Sequence, residues 1–203
     1  MFLAACALEP KVSGLEYKGV LTHFSEVIVM APQPVTKRNI YLQVINKSSV
    51  ASMTSLQRAI IRQLQDEGYQ IVTDENAANY IVQADILFAG VTNLQSAADI
   101  LLQGYQGNIQ PAGEIALGSQ AYNASANKSI SAYAVVVDLT IWQESNLAFA
   151  TATSIGSSTD RSTWNQYQTR IVATYSHELN PTQFSMVESK FNASIARTIA
   201  VIF

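Results

Sequence analysis

The sequence predicts an α+β fold, in which two main amphipathic helices pack on a largely antiparallel sheet. The order of segments along the chain is two strands, a helix, two strands, an insertion, three strands and a helix. Helices that fall between runs of strands, rather than after every strand, are typical of α+β domains. The 203 residues are enough to bury one sizeable core. We therefore expect a lead-in over residues 1–25 and a single domain over 26–203, interrupted by an insertion at 93–131.

Two strands are predicted in the first part of the domain. Glu26–Met30 is short and rich in β-branched residues, and Pro32 and Pro34 end it. Residues 39–46 alternate partly between apolar and polar side chains and predict the second strand. The chain from residue 7 to about residue 25 has no sustained period, so we expect it to be a tether or an irregular lead-in.

The first helix is predicted from its cap, its period and its stop. Thr54–Gln57 fits a capping box, in which the Thr hydroxyl and the Gln side chain bond free backbone N–H groups. Leu56, Ile60 and Leu64 follow at intervals of four residues, which places them on one face. Gly68 stands where a helix commonly ends.

Five further strands are predicted at 69–73, 80–88, 133–142, 147–155 and 167–175, each rich in β-branched or aromatic residues. The closing helix begins at Asn180-Pro181, with Asn as the cap and Pro at the first helical position. The apolar residues of this helix share one face: Phe184, Val187, Phe191, Ile195, Ile199 and Ile202.

The insertion at 93–131 differs in composition from the rest of the chain. It is rich in Ala and Gly, and its charged residues are Asp99, Glu114 and Lys128. One interpretation is a flexible loop, although long structureless loops are unusual in a compact domain. The other is that its two apolar patches, residues 94–102 and 109–117, touch lipid or neighbouring subunits. Neither patch reaches the roughly 20 residues that a helix needs to cross a bilayer, so contact with lipid is expected rather than spanning. The candidate membrane or oligomer contacts are Leu94, Ile100, Leu101, Leu102, Ile109, Ile115 and Leu117.

Cys6 is the single cysteine, so no disulfide can form within the chain. Leu3-Ala4-Ala5-Cys6 matches a bacterial lipobox, in which small residues precede the cleavage point and the thiol receives a diacylglycerol. The alternative is a chance Cys in a short apolar N-terminus. The charged and most of the apolar region of a signal peptide are missing, so we expect the true start to lie upstream. Ala7, in place of Asp, favours sorting to the outer membrane.

The remaining residues favour a protein that is not an enzyme. Charged residues make up 13% of the chain, the net charge is −3, and no basic stripe for nucleic acid is present. His23 and His177 have no second ligand at metal-binding spacing, and we interpret both as surface or loop residues. Ser125–Lys128 matches S-x-x-K without its partner motifs. We expect no metal and no cofactor.

One series of segments, taken together, is more specific than any single motif of the chain. Its members are Leu42–Asn46, Leu56-Gln57, Gly68–Thr73, Tyr80–Asp85, Gly104–Gly107, Asp138–Ile141, Tyr167–Val172 and Ser194–Ala196. This series resembles the TraT family, the complement-resistance and surface-exclusion lipoproteins of conjugative plasmids. The resemblance covers most of the chain, and the Cys6 lipobox agrees with it independently.

The resemblance implies a lipid-anchored outer-membrane protein that is exposed on the cell surface as a ring-like homo-oligomer. Its partners would be itself, outer-membrane lipid, and the donor-cell surface or complement, and its action would be steric and adhesive, without a chemical step. One segment departs from the family pattern: Ser119–Ser131 is polar where a second apolar stretch is expected. The competing hypothesis is therefore a relative that serves as a structural lipoprotein of a secretion or envelope-assembly machine.

Overall fold

The computed structural model describes residues 14–48, 55–109, 131–145, 164–176 and 184–203. Its strands are β1 (Gly14–Tyr17), β2 (Val20–Phe24), β3 (Asn39–Asn46), β4 (Gln70–Val72), β5 (Tyr80–Asn93), β6 (Ser131–Glu144) and β7 (Trp164–Tyr175). Its helices are α1 (Ser55–Asp66), α2 (Leu94–Leu102) and α3 (Phe184–Ala200), with a short 3-10 turn at Glu75–Ala77. The strand predicted at 147–155, the capping box at Thr54 and the cap at Asn180-Pro181 lie outside the described residues.

The seven strands form one mixed sheet in the order β1-β2-β7-β6-β5-β3-β4. The four pairs from β1 to β5 are antiparallel, whereas β3 runs parallel to both β5 and β4. The parallel pair β3–β4 arises because α1 connects the two strands as a crossover and so returns the chain in the same direction. The α+β prediction is confirmed, with a third helix that the sequence analysis did not predict.

One face of the sheet carries the main core, against which α1 and α3 pack. Leu56, Ile60 and Leu64 of α1 are fully buried there, as the four-residue period predicts. Gly68 follows α1 with a φ of 86°, and the N–H of Tyr69 bonds the carbonyl of Leu64 at 3.0 Å. This left-handed residue ends the helix where the sequence places the stop. Other fully buried residues of this core are Val82, Ile86, Val135, Leu139, Ile141, Phe191, Ile195 and Ile199.

A β-hairpin occupies residues 14–24, where the sequence analysis expected an irregular lead-in. Lys18 and Gly19 form its two-residue turn with φ of 53° and 80°. Positive φ at both central residues is the type I′ geometry, whose twist matches that of the flanking strands. The hairpin extends the sheet because β2 pairs with β7, as in Thr22 opposite Ala173. Strands this short carry too few residues for a period to be visible in the sequence.

The strand predicted at Glu26–Met30 is not formed. Val27 is 68% exposed and Val29 is 80% exposed, while Ile28 and Met30 pack partly against the core. The start of the segment lies beside β7, but a side chain of β7, rather than its backbone, makes the hydrogen bonds there. The Thr169 hydroxyl donates to the Glu26 carbonyl at 2.8 Å and accepts from the Glu26 N–H at 3.2 Å. The alternation of apolar residues therefore marks which side chains face the core, although this segment does not pair as a strand.

A register shift in β5 redirects its side chains. The pairing with β6 is irregular between Ile86 and Phe88, so that Ile86 faces the main core and Phe88 faces the opposite side of the sheet. An extra residue at a β-bulge has this effect because side chains alternate between faces with a period of two. Phe88 there joins a second core cluster beneath α2, which contains Ala97, Ile100, Ala134, Val136 and Val172.

Candidate membrane and oligomer contact site

The Ala/Gly-rich insertion leaves the sheet from the end of a paired ladder. β5 continues past the predicted end at Phe88 as far as Asn93, which lies opposite Ser131 at the start of β6. The Asn93 side chain caps α2 by accepting from the Ser96 N–H at 2.7 Å. The helix then folds back over the second face of the sheet and contacts β5, β6 and β7. The described root of the insertion is therefore ordered structure.

The predicted contact residues divide into buried and exposed side chains. Leu102 is 80% exposed and Leu94 is 36% exposed, whereas Ile100 is 1% exposed and belongs to the second cluster. Leu101 and Ile109 are partly buried against the same cluster. Ile100 is thus a core residue of α2 and is not available at the surface. Ile115 and Leu117 lie outside the described residues.

A buried ion pair fixes the root of the insertion to the sheet. Arg170 of β7 is fully buried, and its Nε and Nη2 donate to the two carboxylate oxygens of Asp138 at 2.7 and 3.0 Å. The same guanidinium donates to the carbonyls of Ile100 at 3.4 Å and Gly107 at 3.1 Å. Two-point pairing of Arg with a carboxylate is geometrically specific. One side chain therefore connects two strands, α2 and the segment after it.

The turn after α2 supplies the other bonds to the sheet. The backbone N–H of Gln106 donates to Asp138 Oδ2 at 2.9 Å, and the Tyr105 hydroxyl lies 2.7 Å from the Thr140 hydroxyl. Gly104 has a φ of 69°, and a Cβ on Gly107 would lie 2.4 Å from the carbonyl oxygen of Gln103. Gly107 is thus required for this close approach, and glycine is favoured at position 104 because it adopts a positive φ without strain. The Gly104–Gly107 motif is the fold-back turn of the insertion.

Two carboxylates are neighbours on this face of the sheet, and each is paired with its own cation. Asp85 of β5 lies directly opposite Asp138 of β6, an arrangement that costs stability if the charges are uncompensated. Lys47 Nζ lies 2.7 Å from Asp85 Oδ2, and Gln83 Nε2 donates to Asp85 Oδ1 at 3.1 Å. The hydrogen bond that Lys47 donates to Asp85 raises the pKa of Lys47. The pairs Lys47–Asp85 and Arg170–Asp138 together make the cluster neutral.

Sequence reasoning missed Arg170 and Asp138 as a pair. Each lies in a segment quoted for the family resemblance, but neither received a role. The available signal is a charge in the interior of a strand whose neighbouring residues are apolar or uncharged, at Asp138 in β6 and at Arg170 in β7. Such a charge is rarely buried without a partner.

Neither a metal site nor a membrane-spanning helix is found in the described part of the chain. Groups of three or more His, Cys, Asp and Glu that could hold a metal do not occur there. The helices of the same part are too short or too polar to cross a bilayer. His23 lies in β2, half-buried rather than in a loop, and His177 lies outside the described residues. Cys6 also lies outside them.

Together the fold and the site define a class of α+β protein, in which a buried ion pair holds an apolar insertion over one face of a mixed sheet. The chain belongs to the TraT family: the family model described as Enterobacterial TraT complement resistance protein matches residues 19–142. A TraT complement resistance protein of Escherichia coli is 28% identical, over 90% of this chain and 85% of its own length. Another, from Escherichia coli strain K12, is 33% identical over 53% of this chain and 42% of its own length.

The solved structures that this chain is similar to are more distant in sequence than these relatives. A dodecameric PelC variant from Paraburkholderia phytofirmans is 8% identical with a TM-score of 0.41, over 90% of this chain and 96% of its own. A minor lipoprotein from Acinetobacter baumannii is 10% identical with a TM-score of 0.38, over 83% of this chain and 91% of its own.

Proposed function

We propose that this chain is an outer-membrane lipoprotein, anchored through Cys6, that acts without catalysis in complement resistance, in surface exclusion of conjugation, or in both. It acts as a homo-oligomer exposed on the cell surface. Membership of the TraT family supports this function, and the E. coli relatives carry complement resistance in their names. The Leu3–Cys6 lipobox supports the anchor independently of that similarity.

The observation that carries the proposal is that α2 exposes an apolar side chain to solvent while the helix itself is bonded to the sheet. Leu102 is 80% exposed on α2, and Arg170 bonds the carbonyl of Ile100 in the same helix. An apolar side chain that stands on a rigid element loses little conformational entropy when a partner covers it. Leu94 and Leu102 are therefore suited to contact lipid or a second copy of the chain, as the sequence analysis expected of this segment.

The function follows from position rather than from chemistry. A surface layer of anchored copies would keep a donor cell or complement components at a distance from the membrane. Each lipid chain contributes about 0.8 kcal/mol per buried methylene, so a lipidated Cys is a firm anchor. An oligomer carries many such anchors and leaves the membrane only when all of them release together. No step requires a nucleophile, a metal or a cofactor.

Membrane fractionation of the full-length protein tests the proposal. The wild type and Cys6→Ser, each expressed with its upstream region in a Gram-negative host, are fractionated and then sized in detergent. We expect the wild type in the outer membrane as a large oligomer, and the variant in the soluble fraction. If both proteins are soluble monomers, the anchor and the oligomer are wrong.

Phenotype is measured in the same strains. Cells that carry the wild type should survive in serum better than cells that carry Cys6→Ser, or should receive a conjugative plasmid less often. Thermal unfolding of the purified variant serves as the control, because Cys6→Ser should leave the folded domain unchanged. Equal serum survival and equal transfer frequency in the two strains would contradict the proposed roles.

A further inference from the structure

One flank of α3 is exposed at Met186 and Arg197, is half-buried at Lys190, and carries a distinct set of side chains. Met186, Lys190 and Arg197 lie on this flank, and Val201 continues it directly after the helix. At 3.6 residues per turn these positions fall within an arc of about 60°. Met186 is 68% exposed and Val201 is 64% exposed. The flank therefore has apolar ends and a basic middle.

The β1–β2 hairpin adds a third cation and an aromatic ring beside this flank. Lys18 Nζ lies 5.2 Å from the centre of the Tyr17 ring, and Arg197 Cζ lies 5.1 Å from it. Lys190 Nζ lies 4.5 Å from the centre of the Tyr175 ring and donates to its hydroxyl at 2.9 Å. Aromatic faces thus position the three cations without neutralising them. We call Tyr17, Lys18, Met186, Lys190, Arg197 and Val201 the α3–β1 surface.

The α3–β1 surface is positive in a chain whose net charge is −3. Within the described ranges, ion pairs join Lys37 to Glu144, Lys47 to Asp85 and Arg170 to Asp138, and none of them involves this surface. Glu16 precedes Tyr17 in β1 and so points to the opposite face of the sheet. Glu188 lies on the other flank of α3, where Ser55 of α1 donates to it at 3.4 Å.

We propose that the α3–β1 surface docks on a bilayer that contains anionic phospholipid. Cations attract anionic headgroups, tyrosines favour the interfacial depth, and exposed apolar side chains at both ends can enter it. The proposal rests on the proposed lipid anchor for its geometry. β1 begins eight residues after Cys6, a stretch that spans at most about 28 Å. An anchored Cys6 would therefore keep the edge of the sheet that carries this surface close to the headgroups.

Vesicle binding by unlipidated protein tests the surface separately from the anchor. Full-length Cys6→Ser is sedimented with vesicles of phosphatidylcholine, with or without phosphatidylglycerol. We expect binding only when phosphatidylglycerol is present, and weaker binding at higher salt. Adding Lys18→Gln and Arg197→Gln should lower the partition coefficient roughly 30-fold, as expected for losing two cations near an anionic surface. Lys18→Glu with Arg197→Glu also adds two anions and should lower it further.

A matched control is available on α1, where Arg58 and Arg62 are both exposed. Arg58→Glu with Arg62→Glu changes the net charge by the same amount at a different place, and should leave binding close to that of the parent. Thermal unfolding establishes that each variant is folded.

Three results would overturn the proposal: no binding to phosphatidylglycerol vesicles, equal weakening by both pairs of substitutions, or loss of the lipidated oligomer with vesicle binding unchanged. The third result would assign the surface to a second copy of the chain. A failure of the Cys6 anchor appears in the fractionation experiment and not in vesicle binding, so the two failures can be told apart.

Discussion

At the scale of single residues, Arg170 and Asp138 have the largest consequences for the site. Both side chains are buried, with relative exposures of 0% and 6%. A buried pair of this kind adds little stability relative to apolar residues, because desolvation offsets the attraction. Breaking it is costly, since the remaining charge is left without a partner. Asp138 would in addition face Asp85 directly across the strands.

We predict that Arg170→Met lowers the free energy of unfolding by about 3–5 kcal/mol, as is typical when one partner of a buried pair is removed. Combining it with Asp138→Leu should recover a large part of this loss, because no buried charge then remains. Urea unfolding of the three proteins measures both effects. A double variant as unstable as Arg170→Met would contradict this explanation and assign the cost to the lost bonds with Ile100 and Gly107.

Lys47→Met is the matched control on the same face of the sheet. Lys47 pairs with Asp85 at 2.7 Å but is 53% exposed, so water screens the interaction. Exposed pairs contribute about 0–1 kcal/mol, and the loss should remain in that range. A loss comparable to that of Arg170→Met would mean that the cluster acts as one network rather than as two separate pairs.

His23 makes stability depend on pH. Burial lowers the pKa of His23 from its ordinary value of 6.5, and its Nδ1 atom is buried without a hydrogen-bond partner. The folded protein therefore binds this proton more weakly than the unfolded chain, so stability falls as the pH drops through the ordinary pKa. Hydrogen bonds with Asn79 and Lys37 lower the pKa of Glu144 below 4.5. The stability that ionised Glu144 contributes is therefore lost only at more acidic pH than the change at His23.

We predict that the melting temperature is lower at about pH 5.5 than at about pH 7.5, and that His23→Gln reduces this difference. Thermal unfolding followed by circular dichroism at the two pH values measures it. An identical pH dependence in the wild type and in His23→Gln would show that another group causes it.

At the scale of elements, different residues of α2 pack against the sheet and face solvent. Ile100 is buried in the second core cluster, and Leu102, two residues further on, is 80% exposed. Successive positions on a helix are rotated by about 100°, so two such neighbours face different surroundings. The buried position serves the attachment of α2 to the sheet, whereas the exposed position is free to serve a partner.

We predict that Ile100→Ala lowers the free energy of unfolding by about 2–5 kcal/mol because it leaves a cavity beneath α2. Leu102→Ser should change it by less than about 0.5 kcal/mol, as exposed positions usually do. Leu102→Ser should nevertheless reduce the size of the detergent-solubilised oligomer or the survival of cells in serum. Leu102→Ser with wild-type stability, oligomer size and serum survival would remove this residue from the proposed contact site.

At the scale of the whole molecule, the sheet has a firm centre and short edges. β5, β6 and β7 are 12 to 14 residues long, and β6 pairs with the other two, whereas β1 has four residues and β4 has three. Short edge strands limit unwanted pairing with other chains. They also hold few hydrogen bonds, so local opening should be easiest there.

We predict that backbone amides of β6 exchange hydrogen slowest and those of β1 and β4 fastest among the strands. Hydrogen exchange of the monomeric Cys6→Ser protein, followed by mass spectrometry, measures the order. In a lipidated oligomer, slower exchange confined to one edge would identify that edge as a subunit contact. Fast exchange in β6 of the monomer would contradict the assigned sheet order.

The elements that the sequence determined are those with a regular spacing of apolar residues and a residue nearby that ends the element. α1 has three core residues at intervals of four, followed by Gly68. β3 has the bounds that its alternation predicts, and the cores of β5, β6 and β7 are long enough to stand out. Family membership likewise followed from the series of segments quoted for it, and the family match confirms it.

The tertiary structure decided everything that depends on residues distant in sequence. Arg170 meets Asp138 only because β6 and β7 pair, and Phe88 joins α2 only because a bulge shifts the alternation of β5. The α3–β1 surface unites residues from both ends of the chain. A period reports which residues share one face of an element, but it does not report which element covers that face. Contacts between elements carry that information, and the site and the proposed docking surface are built from such contacts.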